Sequence, residues 1–327
     1  MSDKNMRERL NQISRETGVP TKKVLDLLFS LRGGKAIENN ELVQKVGVSR
    51  NALNQVKEML APILGPVSKN TQLDSSHVQE VQATFDTDYK PEEALWVVLE
   101  DKSYKQAVEL LKTVADKRPS PERRYDQFTA TTETTAHRAS LLQFFGDIQD
   151  KRLLFLGDDD FTSAAVGNIG GAKNVIVVDI DNRILSEIGT ISSDRGLGIK
   201  TFHYDARNKL PAELRGKFDV VFTDPPYTTE GIELFTSRAI ESLDGANKAA
   251  RIYVCYGNSD RAKERFLPIY EVLTNSGLMT RWVFDKFNRY QGAESIGSTS
   301  SLFVTEVTPR TKPIIKGDYD KPIHTND

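Results

Sequence analysis

A single cysteine, Cys255, in a chain of 327 residues excludes an intrachain disulfide and any zinc cluster built on cysteines. Long hydrophobic runs are missing too: none approaches the roughly 20 residues that cross a bilayer. The opening stretch MSDKNMRERLNQISRE alternates charges and lacks the apolar core of a signal peptide. A cytoplasmic protein without membrane contact is expected. There is no large excess of one charge, with 44 Lys+Arg against 46 Asp+Glu. The balance is uneven, however. Through Ser75 there are 12 basic and 8 acidic residues, and beyond it 32 and 38. An acidic body is poorly suited to gripping phosphate backbones, so nucleic acid is not an expected partner. Internal repeats and low-complexity tracts are absent as well.

The first 75 residues read as a small helical domain. TKKVLDLLFSLRG carries helical apolar spacing and stops at Gly33–Gly34. NNELVQKVGVSRNALNQVKEMLAPIL follows as helix, Gly-Val-Ser turn, helix, with Ser49 as N-cap, which is a winged-helix-like pattern. Residues 76–150 read as a helical linker and pocket-lid region. From Lys151 the short buried-strand runs RLLFLG, NVIVVDID, KFDVVFTD and ARIYVCYG alternate with segments of helical length. That alternation predicts a parallel, doubly wound α/β sheet over 151–308. MTRWVFDKF and SSLFVTEVT add an antiparallel pair at one edge. The polar, proline-broken tail, 309–327, is expected to be flexible. The body resembles the Rossmann-like fold of methyltransferases and aminopropyltransferases.

In such sheets the ligand sits over the carboxyl ends of the strands, and the first turn is normally glycine-rich and uncharged. Here it reads FLGDDDFTSAAVG, with Asp158, Asp159 and Asp160 after Gly157. Three carboxylates repel a phosphate and cancel the helix field that would attract one, which disfavours NAD, FAD and ATP. One of the three can serve as the cap of the helix starting near Thr162; three in a row exceed what capping needs.

Asp179, at the end of VVDID, is placed to accept from ribose hydroxyls, with Asp181 two positions on. Asp205, after the third strand in FHYDARNKLP, either accepts from an adenine amino group or is an ordinary turn aspartate. The most specific motif is FDVVFTDPPYT. Pro225 and Pro226 stiffen the turn after a buried strand, so that the Asp224 carboxylate and neighbouring carbonyls converge on one spot. Such acceptors steer the lone pair of an amine towards an electrophile, and Tyr227 can wall the pocket or stack on a cation. An adenosyl sulfonium donor and a nitrogen acceptor follow. A methionine carboxylate would be repelled by the acidic turn, whereas decarboxylated S-adenosylmethionine (SAM) and polyamines are cationic. On this reading the turn is acidic because everything it meets is positive.

RRYDQFTATTETTAHRA, FLGDDDFTSAA, FDVVFTDPPYTTEGIELFTSRAI and GAESIGSTSS together resemble the branched-chain polyamine synthases, the N(4)-bis(aminopropyl)spermidine synthases of archaea and thermophilic bacteria. The resemblance implies successive aminopropyl transfers from decarboxylated SAM, as co-substrate, to the central secondary amine of spermidine. Tertiary and then quaternary branched polyamines form, and 5′-methylthioadenosine is released each time. The sulfonium is already an activated leaving group, so no metal is required. An aspartate of the tripled motif would accept the proton, Asp159 being the first choice and Asp160 the next. Asp158 and Asp160 would otherwise hold the donor's ammonium and order the turn. Asp224 with Tyr227 would orient the acceptor. Glu294 either binds a polyamine end or is a surface glutamate, and Asp126 and Gln127 would form the lid. The head is read as an interaction domain, for dimerisation or for shaping the acceptor cleft, and a homodimer is expected. The runner-up is a SAM-dependent amino methyltransferase acting on DNA or RNA, which the acidic first turn opposes. A DNA-binding regulator whose body senses a metabolite is a third reading, for which a charge excess of four over 75 residues is thin.

Overall fold

The computed structural model describes residues 3–66, 69–92, 100–257, 263–291 and 298–325. The head comprises α1 (Asp3–Thr17), α2 (Thr21–Leu31), α3 (Asn39–Val46), α4 (Arg50–Leu60) and α5 (Val78–Ala83) around an apolar core of its own. Ser49 caps α4 by accepting from Ala52 N, as its place before the apolar repeat predicts. A two-strand wing, β1 (Ile37–Glu38) against β2 (Asn70–Thr71), completes the winged-helix-like unit. Next come α6 (Lys102–Val114), β3 (Thr129–Ala130) and α7 (Thr132–Phe144).

The body alternates β4 (Arg152–Leu156), α8 (Thr162–Ile169), β5 (Asn174–Asp179), α9 (Asn182–Arg195), β6 (Ile199–His203), β7 (Val220–Thr223), α10 (Thr229–Ser242) and β8 (Arg251–Gly257). After α11 (Leu267–Asn275), β9 (Met279–Gln291) and β10 (Thr299–Glu306) form the expected antiparallel pair. The sheet order is β3-β9-β10-β8-β7-β4-β5-β6, with β4 to β8 mutually parallel. Continuous apolar runs suit strands covered on both faces. In β4, Leu153 and Phe155 enter the core beneath α6 to α9, whereas Leu154 and Leu156 enter the core on the α10–α11 side. The strand order reverses between β4 and β7, where Leu156 pairs with Thr223. Gly157 and Asp224 therefore leave the sheet side by side at its topological switch point.

Three details depart from the sequence reading. The third strand starts at Ile199 rather than at Phe202, because Gly196 and Gly198 turn the chain back early. The head grips the opposite end of the sheet from the switch point. Arg15 pairs with Asp219, which precedes β7, and with Asp244 at 2.8 Å, and Lys151 Nζ donates to Thr21 Oγ1 at 3.0 Å. Among the described residues the head contributes none to the lining of the cavity described below. Finally, the tail is fastened rather than loose. Ile323 is buried with Ile315 and Tyr319 against the α10–α11 core. Thr228 Oγ1 donates to Ile323 O (2.7 Å), Tyr319 N to Arg207 O (2.8 Å) and Lys209 N to Asp318 (2.7 Å). Its apolar residues recur every four positions, and that burial outweighs the polar composition.

Candidate active site

Over the carboxyl ends of β4, β5 and β7 opens a cavity of about 250 Å³. Gly157, Asp159, Asp179 and Asp205 line it, as do Asp224, Pro225, Pro226 and Tyr227. Asp126 and Gln127 close it from the segment before β3. Asp158, Asp160 and Asp181 do not line it, and Glu294 lies outside the described residues. The wall is largely aromatic and aliphatic, with Tyr125, Phe128, Tyr204, Phe235 and Tyr290.

The acidic turn divides its aspartates among three tasks. Gly157 has φ +77°, which glycine adopts without strain, and so starts the turn. Asp158 caps α8, accepting from Thr162 N at 2.8 Å and Ser163 N at 3.0 Å. Burial pushes its carboxyl up to about 7, even though those two amides favour the charged form. Asp160 is tied down by Arg138 Nη1 (2.8 Å) and Ala130 N (2.6 Å); burial still raises it. Asp159 is the member that faces the cavity. Among the described residues no protein group donates to its carboxylate, and burial, followed by the charges of Asp160, Asp224 and Asp179, holds its pKa well above the usual range.

Asp224 is held by three donors. Arg138 Nη2 reaches Oδ2 at 2.7 Å, Tyr290 Oη the same oxygen at 2.6 Å, and Tyr227 Oη reaches Oδ1 at 2.8 Å. The Tyr227 ring lies so close on Gly257 that a Cβ there would come within 2.3 Å of it, so only glycine fits. At the other end of the cavity, Asp179 accepts from Asp158 N (3.1 Å) and Asp181 N (2.8 Å), and burial lifts it to about 6. Asp205 is chelated by Arg207, with Nη2 at 2.7 Å; burial alone would raise its pKa, and Arg207 more than reverses that. Asp181 caps α9, accepts from Arg183 and receives Gln127 Nε2 at 3.2 Å. Asp126, at φ +53°, accepts from Thr325 N at 2.8 Å and from the Thr325 hydroxyl, so lid and tail meet over the cavity.

Sequence reasoning missed Arg138, Tyr290 and the wall formed by Ile323, His324 and Thr325. Arg138 left one signal: it sits among Thr135, Ala136, Ala139 and Ser140, small residues that mark a buried helix face, with no acid three or four positions away. A buried guanidinium without a local partner must find carboxylates elsewhere in the chain.

Fold and site define a Rossmann-like protein of the methyltransferase and aminopropyltransferase type, with an acidic, tyrosine-walled cavity at its switch point. Residues 106–319 match the family model of the branched-chain polyamine synthase A C-terminal domain. The chain belongs to the branched-chain polyamine synthase family. It is 38% identical over 221 residues to an uncharacterized protein of Methanocaldococcus jannaschii, covering 68% of this chain and 55% of that one. It is 34% identical over 190 residues to the N(4)-bis(aminopropyl)spermidine synthase of Thermococcus kodakarensis, covering 58% of this chain and 54% of that one. The chain thus spans about half the length of the curated relatives it matches. The branched-chain polyamine synthase of Thermus thermophilus, solved with N4-aminopropylspermidine and 5′-methylthioadenosine, shares the fold at a TM-score of 0.62 and 24% identity, over 98% of each chain.

Proposed function

We propose that this protein transfers aminopropyl groups from decarboxylated SAM to the central secondary amine of spermidine, releasing 5′-methylthioadenosine and giving branched polyamines. The observation that carries this reading is Asp159, the carboxylate of the acidic turn to which no protein group donates among the described residues, and which shares the cavity with the Asp224-Pro-Pro-Tyr turn. The relatives' names and the ligands of the Thermus structure agree with it.

In the reaction the amine lone pair attacks the propyl carbon next to the sulfonium. The carbon–sulfur bond breaks, and its electron pair returns to sulfur as a neutral thioether. The attacking nitrogen, now cationic, passes its proton to Asp159. Its raised pKa makes Asp159 a stronger proton acceptor than an ordinary carboxylate. A second transfer to the tertiary nitrogen gives a quaternary centre and needs no proton acceptor. Asp179 accepts from the ribose, and Asp205, held by Arg207, closes the adenine end beside Tyr204. Asp224, with Tyr227 and Tyr290, orients the acceptor, and Asp126 and Gln127 cover it. Asp158 orders the turn as a helix cap, and Asp160 supports Asp224 through Arg138. A cytoplasmic homodimer completes the reading.

Incubation of the purified protein with decarboxylated SAM and spermidine, followed by mass spectrometry, tests the proposal. Gain of one or two aminopropyl units by the polyamine, matched by 5′-methylthioadenosine, is expected. An unmodified polyamine would overturn it.

A further inference from the structure

The cavity gathers carboxylates around one buried guanidinium that does not line it. Arg138, on α7, is 1% exposed. Its Nε donates to Asn288 Oδ1 at 2.8 Å, Nη1 to Asp160 Oδ2 at 2.8 Å, and Nη2 to Asp224 Oδ2 at 2.7 Å and Tyr290 Oη at 3.0 Å. These partners come from three places: the β4–α8 turn, the β7–α10 turn and β9. Asn288 Nδ2 in turn donates to Ser300 Oγ at 2.9 Å, and Tyr290 Oη lies 3.0 Å from the same oxygen. A planar fork can bridge two carboxylates and an amide in fixed geometry, which a lysine ammonium cannot.

We propose that Arg138 is the positioning residue of the acceptor site. It fixes Asp224 where both tyrosines reach it, and its charge offsets part of that of Asp160 and Asp224, so that Asp159 is left as the carboxylate that receives the proton. This rests on the aminopropyl-transfer reading above. The charged and titratable groups around Asp159 are Asp158 and Asp160 on its own turn, Asp179 after β5, and Asp224 and Tyr227 on the β7–α10 turn. Tyr290 on β9, Cys255 on β8, Arg138 on α7 and Arg118 behind Asp160 also belong to the set among the described residues. In this set Arg138 is the cation in contact with two of the acids, and removing it takes that partner from both. Removing the charge of Asp160 does the opposite: Arg138 is then balanced by Asp224 alone, and Asp159 loses a neighbouring negative charge. The two changes therefore shift the titration of Asp159 in opposite directions.

The test compares wild type, Arg138→Lys, Arg138→Gln and Asp160→Asn in aminopropyl transfer to spermidine across pH. The acceptor amine's own titration is common to all four. Titration with 5′-methylthioadenosine checks that the donor pocket is in place. Arg138→Gln is expected to lose about 10²-fold in kcat, the usual cost of misplacing a reacting partner, with the acid limb of kcat/KM moved to higher pH. Asp160→Asn is expected to move that limb to lower pH. Arg138→Lys keeps the charge without the fork, so the limb returns towards wild type while kcat stays reduced. A wild-type kcat and an unmoved limb in Arg138→Gln would overturn the proposal, as would a purely structural pattern of lost stability with unchanged limbs. Should Arg138→Gln fail to bind 5′-methylthioadenosine, Asp160→Asn decides: a lowered limb supports the proposal, and an unmoved or raised one overturns it. Wild type that transfers nothing to spermidine fails the functional reading itself, and the proposal with it.

Discussion

Asp159 and Asp160 are adjacent in the chain yet sit in opposite environments: Asp160 accepts from Arg138 at 2.8 Å, while Asp159 lines the cavity with no protein donor among the described residues. The first prediction follows from that contrast. Asp159→Asn should lower kcat for transfer to spermidine by about 10²–10⁴-fold, the usual contribution of a positioned base. Binding of 5′-methylthioadenosine, measured by titration, should be preserved. Loss of that binding would move Asp159 from proton acceptor to donor ligand.

The same substitution should stabilise the ligand-free protein. Burial and the neighbouring acids raise the Asp159 pKa in the folded state. Its stabilising contribution is therefore complete below the ordinary aspartate range, where both states are protonated, and is lost as pH rises towards the folded pKa. The Asn variant escapes that loss. Its melting temperature should match wild type near about pH 4 and exceed it as the pH rises above the ordinary aspartate range. Scanning calorimetry at several pH values checks this; a gap that narrows with rising pH would contradict it.

Asp158 should behave as a cap. Asp158→Ala removes the acceptor for Thr162 N and Ser163 N and should cost about 0.5–2 kcal/mol. Asp158→Asn keeps an acceptor oxygen and should cost less. Denaturant midpoints give the comparison, and a loss of kcat in Asp158→Asn equal to that of Asp159→Asn would contradict this division of labour.

Tyr290→Phe and Tyr227→Phe each remove one donor to Asp224. Each lost hydrogen bond to a charged group is worth about 1.5–3 kcal/mol, so kcat/KM for spermidine should fall by roughly 10–10²-fold. The affinity for 5′-methylthioadenosine should stay the same. An effect confined to the donor side would place these tyrosines elsewhere in the reaction.

Much of this site was legible in the sequence because the strands are continuous apolar runs ending in chemically distinctive turns. Gly157-Asp-Asp-Asp, Asp179 and Asp224-Pro-Pro-Tyr follow such runs, and the β4–β7 switch point brings them together. The separate tasks of the three aspartates were not legible, because they depend on where Thr162 N, Ala130 N and Arg138 arrive in space. Arg138 lies 86 residues from Asp224, and nothing in the local pattern links the two. The tail misled for a different reason. Its prolines and charges read as mobile, while Ile315, Tyr319 and Ile323 supply an apolar stripe sparse enough to escape notice.

The acidic turn should select a donor without a carboxylate. Isothermal titration with decarboxylated SAM and with SAM, each in the presence of spermidine, tests it most directly. Tight binding of decarboxylated SAM is expected, with much weaker binding of SAM, whose carboxylate would meet the acidic turn. Equal or preferred binding of SAM would contradict it and point back to methyl transfer.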